Sequence, residues 1–303
     1  MRHDWYQATI DPQQGFEASQ VVECIAGLGT ELRQAPGLAR MYRYQDGYAV
    51  YRDDVGPIAH VFSGGQRGTV HAFASGDYTD EFVNLIRSQY PDCHRVTRAD
   101  AAQDFNEAGA YDRVRSSLVE VAERYHVSFL QYQDELDATA GRTQYMGSPR
   151  SNCRVRLYEK GLQQQAIIKA SSGAFKPPQM KLLNPATGEL VEPGDWTRVE
   201  AQVRPETDYG KVWLSKASPE QVWACSPWLS DVAQVVLSLN LERFVMTRRK
   251  QTTVDKALQT MVSQYRKAIL KKTADLGGSP EAFGLHLASV MAEMDRKSRS
   301  GMV

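Results

Sequence analysis

The 303-residue sequence has no run of 18 or more apolar residues that could span a bilayer. Its start, MRHDWYQATI, lacks the apolar stretch of a secretory leader. These two absences argue against membrane insertion and lead us to expect a cytoplasmic location. Cysteine is scarce: Cys24, Cys93, Cys153 and Cys225 lie far apart with no C-x-x-C pair, which argues against a zinc knuckle and a disulfide framework. Free thiols are expected, three of them buried. No G-x-x-x-x-G-K-[ST] loop occurs, so a Walker-type nucleotide site is not expected. There is no His-x-His pair among His3, His60, His71, His94, His126 and His286. Net charge is missing too, since 36 Lys and Arg balance 36 Asp and Glu; taken alone, that counts against a nucleic-acid partner.

The distribution of charge reverses that last inference. From Arg243 to Lys272, nine basic residues face the single acid Asp255, a local net charge of +8. Arg248, Arg249, Lys250, Lys267 and Lys271 belong to this stretch and are candidate phosphate contacts, although solvated helices also carry such runs.

Periodicity divides the chain into three parts. Residues 1–94 read as an α+β unit. In it, Trp5 to Ile10 is strand-like and Phe16 to Leu28 has helical spacing, while Met41 to Arg52 alternates around Asp46-Gly47, a hairpin signal. Residues 95–215 repeat that grammar, with strands expected at Val96 to Phe105, Cys153 to Lys160 and Trp196 to Arg204, and a helix at Tyr111 to Tyr125. The fold class is therefore α+β, with duplicated antiparallel-sheet units and flanking helices. Ala170 to Gly194, rich in Gly, Pro, Ser and Lys, predicts a long loop. Residues 216–303 predict a helical module carrying the basic stretch.

Side chains two apart on a strand share a face. Arg98, Asp100 and Asp104 fall on one face of their strand; Arg154, Arg156, Tyr158 and Lys160 on one face of the next; Arg198, Glu200, Gln202 and Arg204 on one face of the third. The alternate residues, such as Val155, Leu157, Val199, Ala201 and Val203, are apolar. An antiparallel sheet with one solvated face would look the same and needs no function. Carboxylates, however, are poor strand formers, and oxygen-only carboxylate clusters are what Mg²⁺ or Mn²⁺ sites are made of.

The stretch GRTQYMGSPRSNCRVRLYEKG, Gly141 to Gly161, resembles the G-x-T-x-Y-x-G-S-x-x-S…R-x-Y-[DE]-K hairpin of the Rep_trans replication initiators. That family includes initiators of staphylococcal plasmids, integrative-element relaxases and filamentous-phage replication proteins. RVTRADAAQDF and TRVEAQVRP resemble its R-x-D-x-x-x-D and R-x-E-x-x-x-R strands, and the resemblance covers about residues 40 to 210. It implies a distantly relaxase-like nicking domain, a single-strand nick at a rolling-circle origin, a 5′-phosphotyrosine intermediate and later strand rejoining. Matched residue by residue, Tyr158 would be the nucleophile. Asp100 and Glu200 would hold a divalent metal, Mg²⁺ or Mn²⁺, with Asp104 as a third ligand, and Arg154, Arg156 and Lys160 would face the scissile phosphate. Tyr145, on the hairpin's other strand, is the alternative nucleophile. Single-stranded and duplex origin DNA are the implied partners; a host helicase and a second copy of the chain are further candidates.

Tyrosine has a free pKa of about 10 and attacks poorly unless its phenolate is stabilised. Arg156 and Lys160 are expected to do so, with Arg198 contributing to DNA contact. Two other readings stay open at this stage: a non-catalytic DNA-binding protein that uses the basic helices, and a metal-dependent nuclease that activates water. Covalently attached protein on a nicked product separates all three.

Overall fold

A computed structural model describes residues 1–11, 17–53, 55–65, 68–133, 141–172, 181–244 and 253–299. The first half of the chain supplies β1 (Arg2–Ile10), α1 (Ala18–Ala26), β2 (Glu31–Gln34), α2 (Pro36–Met41), β3 (Asp46–Arg52), β4 (Gly56–Ser63), β5 (Val70–Ser75) and α3 (Thr79–Gln89). The second half continues with β6 (His94–Asn106), α4 (Ala110–Tyr125), β7 (Phe129–Tyr132), β8 (Thr143–Met146), β9 (Cys153–Glu159) and α5 (Lys160–Ser172). After a small hairpin, β10 (Leu182–Asn184) and β11 (Glu189–Val191), come β12 (Trp196–Val203), α6 (Asp208–Leu214), α7 (Pro219–Val222) and α8 (Pro227–Leu237).

Ten of these strands form one antiparallel sheet in the order β2-β3-β4-β5-β1-β6-β12-β9-β8-β7. Outward from the centre, each half runs the same way. A long strand (β1 or β6) is flanked by the last strand of its half (β5 or β12), and three meander strands complete the edge (β4-β3-β2 or β9-β8-β7). The duplicated α+β layout expected from the sequence is therefore visible in the strand order. The two halves share one sheet, because β1 pairs with β6 from Arg2↔Ala102 to Ile10↔His94.

One face of the sheet is sealed by helices. α4 shows why: Tyr111, Val114, Leu118, Val121 and Ala122 recur at helical spacing and are all buried. They meet Val155, Leu157, Val199, Ala201 and Val203 in a single core, together with Phe82 and Ile86 of α3 and Leu229 and Val232 of α8. α8 starts cleanly because the Ser226 hydroxyl accepts from Leu229 N and Pro227 occupies the first turn. Burial of a leucine such as Leu118 is worth about 1.5–3 kcal/mol, so this face fixes which side of each strand remains outward.

The compact division of the chain lies at Met246/Thr247. It does not coincide with the expected boundaries at 94/95 and 215/216: the sheet crosses the first, and α8 packs into the sheet's own core beyond the second. The second unit contains α9 (Thr253–Asp275) and α10 (Pro280–Arg299). α9 ends through Gly277 and Gly278, both at positive φ, with Gly278 N donating to Thr273 O at 2.8 Å. Among the described residues no helix is long and apolar enough to cross a membrane.

Three local expectations change. Asp46-Gly47 opens β3 instead of forming a hairpin turn; a Cβ at Gly47 would come within 2.7 Å of Ala39 Cβ, so the glycine serves a close approach to α2. Ala170 to Gly194 is not one loop: α5 extends to Ser172 and the β10-β11 hairpin follows, while residues 173–180 lie outside the described residues. Two cysteines are buried, Cys153 and Cys225, where three were expected.

Candidate active site

The outward face of the second half-sheet carries the polar residues singled out by alternation, and strand register brings them into rows. Residues paired across antiparallel strands point the same way. Arg198 pairs with Tyr158 on β9 and with Asp104 on β6; Glu200 pairs with Arg156 and Ala102; Gln202 pairs with Arg154 and Asp100. Asp100, Asp104, Glu200 and Tyr158 thus share one surface, as expected. Glu159 points the opposite way, where its carboxylate accepts from Arg142.

The rows are wired by short hydrogen bonds. Tyr158 Oη donates to Glu200 Oε1 at 2.6 Å, and Arg156 Nη1 lies 3.9 Å from Glu200 Oε2. The Arg156 guanidinium also covers the Tyr158 ring, 3.9 Å from its centroid. Arg198 grips Asp104 through two bonds of 2.6 and 2.8 Å and reaches Asp4 Oδ1 at 2.8 Å. Arg98 holds both oxygens of Asp100, and Gln202 Nε2 donates to the same carboxylate at 3.4 Å.

A cavity of about 560 Å³ opens onto this surface, lined by Asp4, Arg156, Tyr158, Lys160, Trp196 and Arg198, with α5 along one side. The position of α5 depends on Gly161, where a Cβ would stand 2.3 Å from the Pro193 carbonyl oxygen. That close contact accounts for the glycine that follows the motif's lysine. The motif's Gly147 adopts φ +97 at the end of β8, a conformation that favours glycine.

Burial sets the electrostatics. Glu200 is 2% exposed, and desolvation, reinforced by repulsion from Asp4, pushes its pKa up to about 7 against the pull of Arg156 and Tyr158. Tyr158, 3% exposed, is raised well above its usual value by burial and then by the charge of Glu200. The expectation that Arg156 and Lys160 hold the phenol low is therefore corrected: desolvation and Glu200 outweigh the cations. Lys160 is itself lowered, first by burial and then by Arg198. Its ammonium donates to Gln163 Oε1 at 3.3 Å.

Among the described residues, several buried donors at this surface have no acceptor: Arg2 Nε, Arg154 Nε, Arg156 Nε and Trp196 Nε1. Unmet donors on a buried polar surface leave room for a further acceptor such as water or an anion. Arg198, by contrast, is spent on Asp104 and Asp4 and acts as a strut under the site. The acids do not fit a divalent ion as they stand. Among the described residues no three acidic, imidazole or thiol groups converge as ligands would. Asp100 and Asp104 are each neutralised by an arginine, and Glu200 is engaged by the phenol.

Of the remaining expected contacts, Lys267 and Lys271 are exposed on α9 of the second unit, and Arg248, Arg249 and Lys250 lie outside the described residues. The sequence did not reveal Asp4 or Arg2, which enter from β1. Both precede the strand expected at Trp5 to Ile10, and only the β1-β6 pairing, irregular between His3 and Trp5, brings this segment beside the site.

No family model matches the chain and no curated protein matches it. Among solved structures, a rolling circle replication initiator protein from Geobacillus stearothermophilus is similar at 18% identity and TM-score 0.46, over 80% of this chain and 98% of that one. A likeness at that level carries no function with it.

Proposed function

We propose that the chain is a replication initiator of the rolling-circle type, an enzyme that nicks one strand of origin DNA through Tyr158 and later rejoins it. The observation that carries this reading is the 2.6 Å bond from the Tyr158 phenol to the buried carboxylate of Glu200, beside a cation-lined cavity. A tyrosine whose pKa is raised needs a proton acceptor in contact with it, and an acceptor with pKa about 7 suits neutral pH.

In the forward step Tyr158 Oη bonds to phosphorus as its proton passes to Glu200. The bond from phosphorus to the 3′ oxygen breaks, and Glu200 returns the proton to that oxygen. The products are a 5′-phosphotyrosine ester and a free 3′ hydroxyl. Arg156 and Lys160, whose charges lie 3.9 and 5.8 Å from the Tyr158 ring centroid, would neutralise the non-bridging oxygens. The ester conserves the energy of the broken bond, so rejoining by the reverse step needs no nucleotide. Single-stranded and duplex origin DNA are the proposed partners, with Lys267, Lys271 and the 248–250 basic run on the duplex phosphates.

Incubation with supercoiled origin plasmid, with and without Mn²⁺, followed by a denaturing gel tests this. Open circles carrying bound protein are expected from wild type and from Tyr145→Phe, and none from Tyr158→Phe. An adduct that survives Tyr158→Phe rejects the assignment, and nicks without bound protein select hydrolysis by water.

A further inference from the structure

Outward from Tyr158, the same face continues over the sheet's last two strands, and its character changes from ionic to aromatic. Thr143 pairs with Tyr158 and Tyr132 with Thr143; Tyr145 pairs with Arg156 and Leu130 with Tyr145. Tyr132, Tyr145 and Leu130 therefore stand on the side of the sheet that holds the cavity. Tyr132 is 57% exposed and Leu130 46%, although β7 is an edge strand where such residues invite association. The Tyr132 and Tyr145 rings meet edge to face, centroids 5.6 Å apart. The Arg154 guanidinium lies 3.7 Å above the Tyr145 ring, with no carboxylate partner among the described residues and its Nε unmet.

Packing alone does not account for this group. A flat cation with no counter-ion among the described residues, stacked on a tyrosine next to an exposed ring, offers planes for stacking and positive charge together. Nucleobases take the first and their phosphates the second. Neighbouring strands are about 4.8 Å apart, so Tyr132 is roughly 10 Å from Tyr158 across the sheet. That distance suits the base next to the reacting phosphate or the one after it.

We infer that Tyr132, Tyr145 and Arg154 form a shelf on which bases flanking the scissile phosphate stack, holding a single strand in the cavity beside Tyr158. This rests on the nicking reading for its choice of strand, and it gives Tyr145 a binding role in place of a nucleophilic one. Stacking uses the ring and not the hydroxyl, so phenylalanine should serve at either position where alanine should not.

The test is fluorescence anisotropy of a fluorescein-labelled oligo(dT) strand with the full chain in EDTA, where affinity is read without cleavage. Tyr132→Ala and Tyr145→Ala should each weaken binding by at least about fivefold. Tyr132→Phe and Tyr145→Phe should stay within about twofold of wild type. The alanine deficit should persist as KCl is raised, since stacking releases no counter-ions, whereas Arg154→Gln should reduce the salt dependence. Because Tyr132 is exposed, its alanine variant is not expected to unfold the protein; equal thermal melting checks this. Unchanged affinity in both alanine variants overturns the shelf, as does an equal loss in the phenylalanine variants. If the alanine variants lose affinity while Tyr158→Phe still forms the covalent adduct, the shelf stands and the nucleophile assignment alone fails.

Discussion

Glu200→Gln is the substitution that reports most directly on how the site is built. Glu200 carries an ordinary carboxylate value of 4.5 when unfolded and about 7 when folded, chiefly because it is buried. A raised folded value means that the native state holds the proton more tightly than the unfolded chain does. The stability this confers is complete below pH 4.5 and is lost as pH rises towards 7. At 1.36 kcal/mol per unit the loss amounts to about 3 kcal/mol. Glutamine keeps the shape and does not titrate. His60, His71 and His94, lowered by burial, contribute with the opposite sign, and Asp100, raised by burial, with the same sign. All four remain in both proteins and cancel in the difference. Urea denaturation of wild type and variant from pH 4.5 to pH 8 should therefore show wild type losing about 3 kcal/mol relative to Glu200→Gln. Nicking by the variant should fall by about 10²–10⁴-fold, the usual value of a positioned base. A difference that stays flat with pH, or grows in favour of wild type, refutes the claim that Glu200 is a strained buried acid.

Two further outcomes are expected. Arg198→Leu strands the buried carboxylate of Asp104 and should cost about 3–5 kcal/mol in chemical denaturation, whereas Arg198→Leu with Asp104→Leu should recover most of that. A chain ending after Met246 keeps Phe244, which stacks on Trp213 at 3.9 Å, and should melt cooperatively and cleave a single-stranded oligonucleotide. It should lose the steeply salt-dependent affinity for duplex DNA measured by anisotropy.

Much of the site was legible because alternation on β6, β9 and β12 is enforced by the helices behind them: Val155, Leu157, Val199 and Ala201 must face α4, so Tyr158 and Glu200 must face outward. Helical spacing likewise gave α4, α9 and α10. What the sequence concealed depends on partners distant in the chain. Asp4 reaches Arg198 across 194 positions through β1-β6 pairing, which no local pattern encodes. The same pairing merged the two expected units into one sheet. Asp46-Gly47 misled because glycine answers two needs, a turn or a close approach, and here Ala39 and Phe62 press on it. The direction of the Tyr158 shift was missed for a related reason: charge is visible in the sequence, but the burial of the phenol is not, and burial dominates.

The central claim is that the Tyr158 oxygen, and no other, becomes bonded to DNA. Tryptic digestion of the trapped adduct separates the candidates, since Tyr158 falls in Leu157–Lys160 and Tyr145 in Thr143–Arg150. Mass spectrometry should find the nucleotide mass on the first peptide, lost again on phosphodiesterase treatment. Finding it on the second peptide, or on neither, contradicts the account.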